Sequence, residues 1–197
     1  MDIDTGINRY KTAAAVLVGG RSVRMGRPKE NVVIDGDGRT FLEKVCCEID
    51  RAYLSGVICK RYLSVRKGQE TSMEGYVRTE DAFDGIGPLA GLISVLKRAR
   101  SDGAGSVIIL ACDMIGYTYD ELTGICRAYK GEDILWARTR TGFIEPLGSI
   151  YSVNILEKAI ELAESGRYRL KDLEGARTVT GYYDSASPVC YENINSL

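Results

Sequence analysis

Two short runs that are apolar almost throughout, Ala13–Val18 and Ser106–Ala111, constrain the fold of this chain most strongly. A strand that is apolar at every position buries both of its faces, so each run needs covering layers above and below it. Amphipathic segments lie between and after these runs. Thr40 with Glu43 reads as a helix-opening capping box, and Leu42, Val45, Cys46, Ile49 and Tyr53 share the face behind it. Pro88 suits a first helical turn and is followed by Leu89, Leu92, Ile93 and Leu96 at helical spacing. Thr118 with Glu121 repeats the capping box ahead of Leu122, Ile125, Cys126 and Tyr129. The pattern also predicts weaker strands at Arg61–Val65, Tyr76–Thr79 and Asp133–Ala137, and a helix over Ser152–Ala163. Alternating strands and helices with two-sided burial give a three-layer αβα domain around a mostly parallel sheet, expected to occupy residues 1–197 as one unit. Ligands of such folds bind beyond the carboxyl ends of strands, where the strand order switches. The segments after Val18 and after Ala111 are therefore the places to look for chemistry.

Composition removes several classes of mechanism. The chain has no histidine, which excludes Ser-His-Asp and Cys-His nucleophiles, His-ligated zinc and imidazole acid–base catalysis. Its net charge of −1 provides no global field toward nucleic acid or anionic membrane, and neither is expected as a partner. The six cysteines show no CxxC spacing and read as reduced, packing thiols, which suits a cytoplasmic protein. The opening residues are acidic ahead of a six-residue apolar run, matching neither a signal peptide nor a membrane span.

The segment Gly19-Gly20-Arg21-Ser22-Val23-Arg24-Met25-Gly26-Arg27-Pro28-Lys29 follows the first apolar run directly. Glycines at a strand end let backbone N–H groups approach an anion that a Cβ would hold away, and four cations stand close behind them. Such a combination binds phosphate, although a solvated basic turn is the plainer alternative. It matches neither the Walker pattern nor G-x-G-x-x-G. Asp113 stands at the carboxyl end of the second apolar run, where a carboxylate can hold Mg²⁺ together with substrate phosphates or simply cap a turn.

Leu17-Val18-Gly19-Gly20-x-Ser22-x-Arg24-Met25-Gly26-x-x-Lys29 resembles the signature loop of nucleotidyltransferases. Gly87-Pro88-Leu89-Ala90-Gly91 after Glu80-Asp81, then Ala111-Cys112-Asp113-Met114, Glu145-Pro146-Leu147 and Asn193-Ile194-Asn195, is similar in content and order to the molybdenum cofactor guanylyltransferases. The resemblance implies a Rossmann-like nucleotide-diphospho-sugar transferase fold. It implies transfer of GMP from GTP to the terminal phosphate of molybdopterin, with Mg²⁺ as cofactor, pyrophosphate as leaving group, and molybdoenzymes or cofactor-insertion proteins as recipients. Carried over by residue, Leu17, Val18, Gly19, Gly20, Lys29, Ser64, Asp81, Pro88, Leu89 and Asp113 would contact the nucleotide, and Asp113 would also ligate the metal. Arg24, Lys29 and Asp113 would carry catalysis, and Asn193 and Asn195 would face the acceptor.

Ser64 stands where the family usually has Asn, which can make one more hydrogen bond. Two alternatives remain open at this level: a related nucleotidyltransferase using CTP or a sugar-phosphate acceptor, and a non-catalytic nucleotide-binding cofactor carrier. Asp84 reads as a solvated loop carboxylate, and Arg167, Arg169 and Lys171 as a solvated basic face that competes with an acceptor role.

Overall fold

The structure, a computed structural model, describes residues 9–18, 28–175, 177–187 and 190–191. Seven strands form one sheet in the spatial order β3-β2-β1-β4-β6-β5-β7. They are β1 (Thr12–Leu17), β2 (Arg61–Val65), β3 (Val77–Glu80), β4 (Ser106–Ala111), β5 (Ile134–Arg138), β6 (Ile144–Ser152) and β7 (Thr180–Asp184). The helices are α1 (Phe41–Leu54), α2 (Pro88–Ser101), α3 (Tyr119–Ala128) and α4 (Leu156–Glu164). Every pairing is parallel except those of β6, which runs antiparallel to both β4 and β5.

The two apolar runs behave as continuous burial requires. In β1, Ala14 and Val16 enter the core under α1 and α3, whereas Ala13 and Ala15 enter the core under α2 and α4. In β4, Ile108 and Leu110 face the first core and Val107 and Ile109 the second. Successive side chains of a strand point to opposite faces, so an all-apolar run fills two cores at once. Cys46, Cys112 and Cys126 are buried in the first core, and burial pushes each thiol up to about 12, leaving them as inert packing groups. No helix among the described residues is long and apolar enough to cross a membrane.

The Thr40 capping box forms in both directions: Glu43 N donates to Thr40 Oγ1 at 3.2 Å and Thr40 N donates to Glu43 Oε2 at 2.7 Å. At Thr118 only half of it forms. Its hydroxyl accepts from Glu121 N, but the Glu121 carboxylate is buried and accepts from Tyr191 Oη at 2.9 Å instead. Tyr53 departs from the expected buried face of α1: it is 39% exposed, with the Arg61 guanidinium 4.2 Å from its ring centroid.

Two strands are unannounced by the residue pattern. In β6, Pro146 and Gly148 interrupt the run, and the β5–β6 register shifts between Leu135 and Ala137. Proline cannot donate to the ladder and belongs at such irregularities. There the Ser149 hydroxyl substitutes for a backbone acceptor, taking Ala137 N at 2.9 Å and donating to Glu145 O at 2.7 Å. Strand β7 is the sheet edge and mostly half-exposed, so it carries no apolar run. Because β6 extends to Ser152, the segment expected as a helix over Ser152–Ala163 begins with a 3-10 turn (Val153–Ile155), and α4 starts only at Leu156.

Candidate active site

From β1 the chain builds β2 and β3 on one side of the sheet and then crosses by α2 to β4 on the other. The carboxyl ends of β1 and β4 therefore adjoin at a switch in strand order, with Leu17 opposite Ala111. A cleft of about 1010 Å³ opens there, and Leu17, Val18, Ser64 and Asp113 are in its lining. Val18 N donates to Ser64 O at 2.9 Å and Cys112 N donates to Leu17 O at 3.3 Å, so the ends of three strands form one floor.

Lys29, in a 3-10 turn at Lys29–Asn31, places Nζ 2.7 Å from Asp113 Oδ2. With the two side chains 25% and 12% exposed, this pair is largely shielded from water, where a charge-assisted hydrogen bond is stronger than at a surface. Asp113 is held by the end of β4, so the strand aims its carboxylate into the cleft.

Farther along the same cleft stands Asp81, just beyond β3. Its backbone N–H is fixed by Val65 O at 2.9 Å, and its Oδ1 accepts from Ser64 Oγ at 2.6 Å. Burial pushes the Asp81 carboxyl above the usual carboxylate value; the Ser64 hydrogen bond and the Arg66 charge oppose that rise, and Asp84 adds to it. Gly87 (φ +66°), a conformation suited to glycine, opens α2, and Pro88 occupies its first turn. Pro88, Ala90 and Gly91 line the cleft.

Thus Leu17, Val18, Lys29, Ser64, Asp81, Pro88 and Asp113 converge on one cavity. Leu89 does not. It is fully buried beneath α2 in the second core, because it shares the helical face of Leu92 and Leu96. Gly19, Gly20 and Arg24, like Asn193 and Asn195, lie outside the described residues. Ser64 is placed differently from expectation in one respect, since its hydroxyl is engaged with Asp81. The lining residues that were not anticipated include Arg66, Lys67 and Gln69, on the turn after β2. Two adjacent cations and a glycine after a strand were the available signal. Asp84 is exposed, as expected of a loop carboxylate, yet it also borders the cleft.

Among the described residues no group of three or more His, Cys, Asp or Glu side chains could hold a metal ion unaided. Asp113 alone could offer one carboxylate to a hard divalent cation whose other oxygens came from phosphate and water, the arrangement Mg²⁺ favours.

A strand-end cleft at a switch in strand order, lined by the Lys29–Asp113 pair and by Asp81, defines an open α/β protein with a polar ligand site. The chain belongs to the family of the MobA-like NTP transferase domain, whose model matches residues 14–180. It is 35% identical over 155 residues, 77% of this chain and 72% of the relative, to a protein of Opitutus terrae named "Probable molybdenum cofactor guanylyltransferase". Among solved structures it resembles molybdopterin-guanine dinucleotide biosynthesis protein A from Archaeoglobus fulgidus, with a TM-score of 0.69 at 21% identity over 93% of this chain and 92% of that one. It also resembles a manganese complex of Rv0371C from Mycobacterium tuberculosis, with a TM-score of 0.59 at 16% identity over 89% and 88% of the two chains. These structural likenesses show the fold, and the matching family model ties that Rossmann-like fold to the NTP transferase domain.

Proposed function

We propose that this protein transfers GMP from GTP to the terminal phosphate of molybdopterin, with or without bound molybdenum, releasing pyrophosphate. The observation that carries the reading is the Lys29–Asp113 pair lining the same cleft as Asp81. Family membership and the name carried by the Opitutus relative support the choice of nucleotide and acceptor.

A phosphate monoester has a second pKa of about 6, so at neutral pH the acceptor is mostly a dianion and already nucleophilic. One acceptor oxygen forms a bond to the α-phosphorus of GTP as the bond from that phosphorus to the bridging oxygen of the β-phosphate breaks. The electron pair leaves with pyrophosphate, and no side chain needs to remove a proton. A chain without histidine can perform such a reaction by positioning and charge stabilisation. Lys29 would meet the charge that grows on the leaving phosphates, and in this reading Arg24 and the Gly19 and Gly20 amides, which lie outside the described residues, would add to it. Asp113 would hold a divalent cation arriving with the nucleotide, Mg²⁺ in this reading, which supplies further neutralisation of phosphate charge.

Asp81 would accept from the N1–H and exocyclic amine of guanine, a donor pair that cytosine and adenine do not present together. Ser64 holds one of its oxygens and so fixes the plane of the carboxylate. Leu17, Val18 and Pro88 would border the base, and Asn193 and Asn195 would orient the acceptor. Residues 1–197 would form one such domain, at work in the cytoplasm.

Calorimetric titration with GTP, CTP, ATP and UTP, each with and without Mg²⁺, tests the reading. Binding confined to GTP and strengthened by Mg²⁺ supports it. Preference for CTP would keep the fold and replace the product; no binding to any of the four would defeat the proposal.

A further inference from the structure

One almost fully buried carboxylate has no part in the reaction above. Glu30 follows Lys29 in the 3-10 turn and is only 4% exposed. Among the described residues no cation pairs with it; its Oε1 accepts from Gln69 Nε2 at 2.6 Å and from Thr71 Oγ1 at 3.5 Å. A carboxylate withdrawn from water and met mainly by neutral donors is a costly way to fasten two loops together.

What it fastens explains the arrangement. Gln69 closes the turn after β2: its N–H donates to Arg66 O at 3.0 Å, and its Oε1 accepts from Arg66 N at 3.2 Å. Gly68 (φ +75°) permits that reversal, and Arg78 Nη2 holds Gln69 O at 2.6 Å. The same turn presents Arg66 and Lys67 to the cleft, and neither pairs with a carboxylate among the described residues. On the other side, the residue next to Glu30 is Lys29, which also lines the cleft. The Glu30–Gln69 contact therefore joins two separate cationic segments of one cavity across 39 positions of sequence.

We propose that Glu30 and Gln69 form a strut that sets the position of the Arg66–Lys67 turn relative to Lys29, making Glu30 a positioning residue for binding the anionic part of a nucleoside triphosphate. This rests on the nucleotide reading given above. A strut needs one donor and one acceptor, and the order does not matter. Q69E sets two acceptors against each other. The exchanged pair E30Q/Q69E restores one donor and one acceptor in reversed order, and the carboxylate introduced by Q69E still accepts from Arg66 N. Gln69→Ala removes the donor without adding charge.

In Q69E and Gln69→Ala, the KM for GTP is expected to rise about tenfold or more while kcat stays within about threefold, because a contact shared by ground and transition states is lost. In E30Q/Q69E, KM is expected to return to within about threefold of the parent. Hydrogen exchange at the amides of residues 66–69 should accelerate in Q69E and slow again in the exchanged pair, a readout that needs no nucleotide. A double variant as impaired as Q69E overturns the strut, and so does lowered thermal stability with unchanged KM. If the parent protein fails to bind GTP, the nucleotide reading falls and the exchange measurement still decides: unaltered protection in Q69E refutes the strut itself.

Discussion

Replacing Gly91 by alanine should separate fold stability from nucleotide recognition. An added Cβ at this position in the first turns of α2 would lie 2.7 Å from Leu17 Cδ2 and 2.9 Å from Ser64 Oγ. The backbone change favours folding, since alanine is better than glycine inside a helix by about 0.8–1.0 kcal/mol. Crowding opposes it, at about 1–3 kcal/mol for an extra methyl in a packed interior. The net effect is a loss of between about zero and about 2 kcal/mol, or at most about 8 °C in Tm for a chain of this length. The Leu17 methyl can rotate aside. Ser64 Oγ cannot move without leaving Asp81, to which it donates at 2.6 Å. Hydrogen bonds to charged groups contribute about 1.5–3 kcal/mol when shielded; with Asp81 only partly buried the lower end applies, and because this bond is also made without GTP, about tenfold in Kd is the upper limit of the lost affinity, any remainder falling on stability. Thermal melts and calorimetric titration of Gly91→Ala measure the two effects, and Ser64→Ala should reproduce the loss of affinity without the crowding. Full GTP affinity in both variants would refute the chain from Gly91 through Ser64 to Asp81.

Lys29→Ala should lower kcat by about 10²–10³, the range for losing one donor to transition-state charge; steady-state rates equal to the parent would remove Lys29 from the reaction. The affinity for GTP should weaken as pH falls through a midpoint above 3.8, because burial raises the Asp81 carboxyl and only the carboxylate accepts from guanine, and Asp81→Asn should abolish that dependence in titrations across the acid range. The same shift has the opposite sign for folding: in the window above 3.8 the native state keeps a proton that the unfolded chain releases, so the contribution of Asp81 to stability declines as pH rises through it, and urea melts of the parent and Asp81→Asn should converge below that window. Gly75→Ala should cost about 1–3 kcal/mol in urea unfolding with GTP affinity intact. Gly75 has φ +77°, and its added Cβ would meet Arg61 Nη2 at 2.5 Å, where that guanidinium pairs with Asp50 and lies over Tyr53 and Tyr76.

Legibility of this fold in its residues followed the number of buried faces. β1 and β4 are covered on both sides, so their apolar runs announced them and, through their carboxyl ends, the place of Asp113. β7 is an edge strand, and β6 is broken at Pro146 and Gly148, so neither left a periodic trace. The site divides in the same way. Lys29 and Asp113 were reachable because each follows a legible strand or loop, whereas Glu30 and Gln69 acquire a role only by meeting across the fold, a contact that local pattern cannot announce. Leu89 shows which kind of reasoning prevails when two conflict. Its spacing with Leu92, Ile93 and Leu96 predicted a core position, while the resemblance implied contact with the nucleotide. A helix cannot turn one residue of its apolar stripe into a cleft while keeping the others packed, so Leu89 is buried and the cleft meets its neighbours Pro88, Ala90 and Gly91. The first turn of α2 can therefore recognise a ligand only through its backbone and small side chains, which is why the added methyl at Gly91 is expected to act on binding through Ser64 and Asp81.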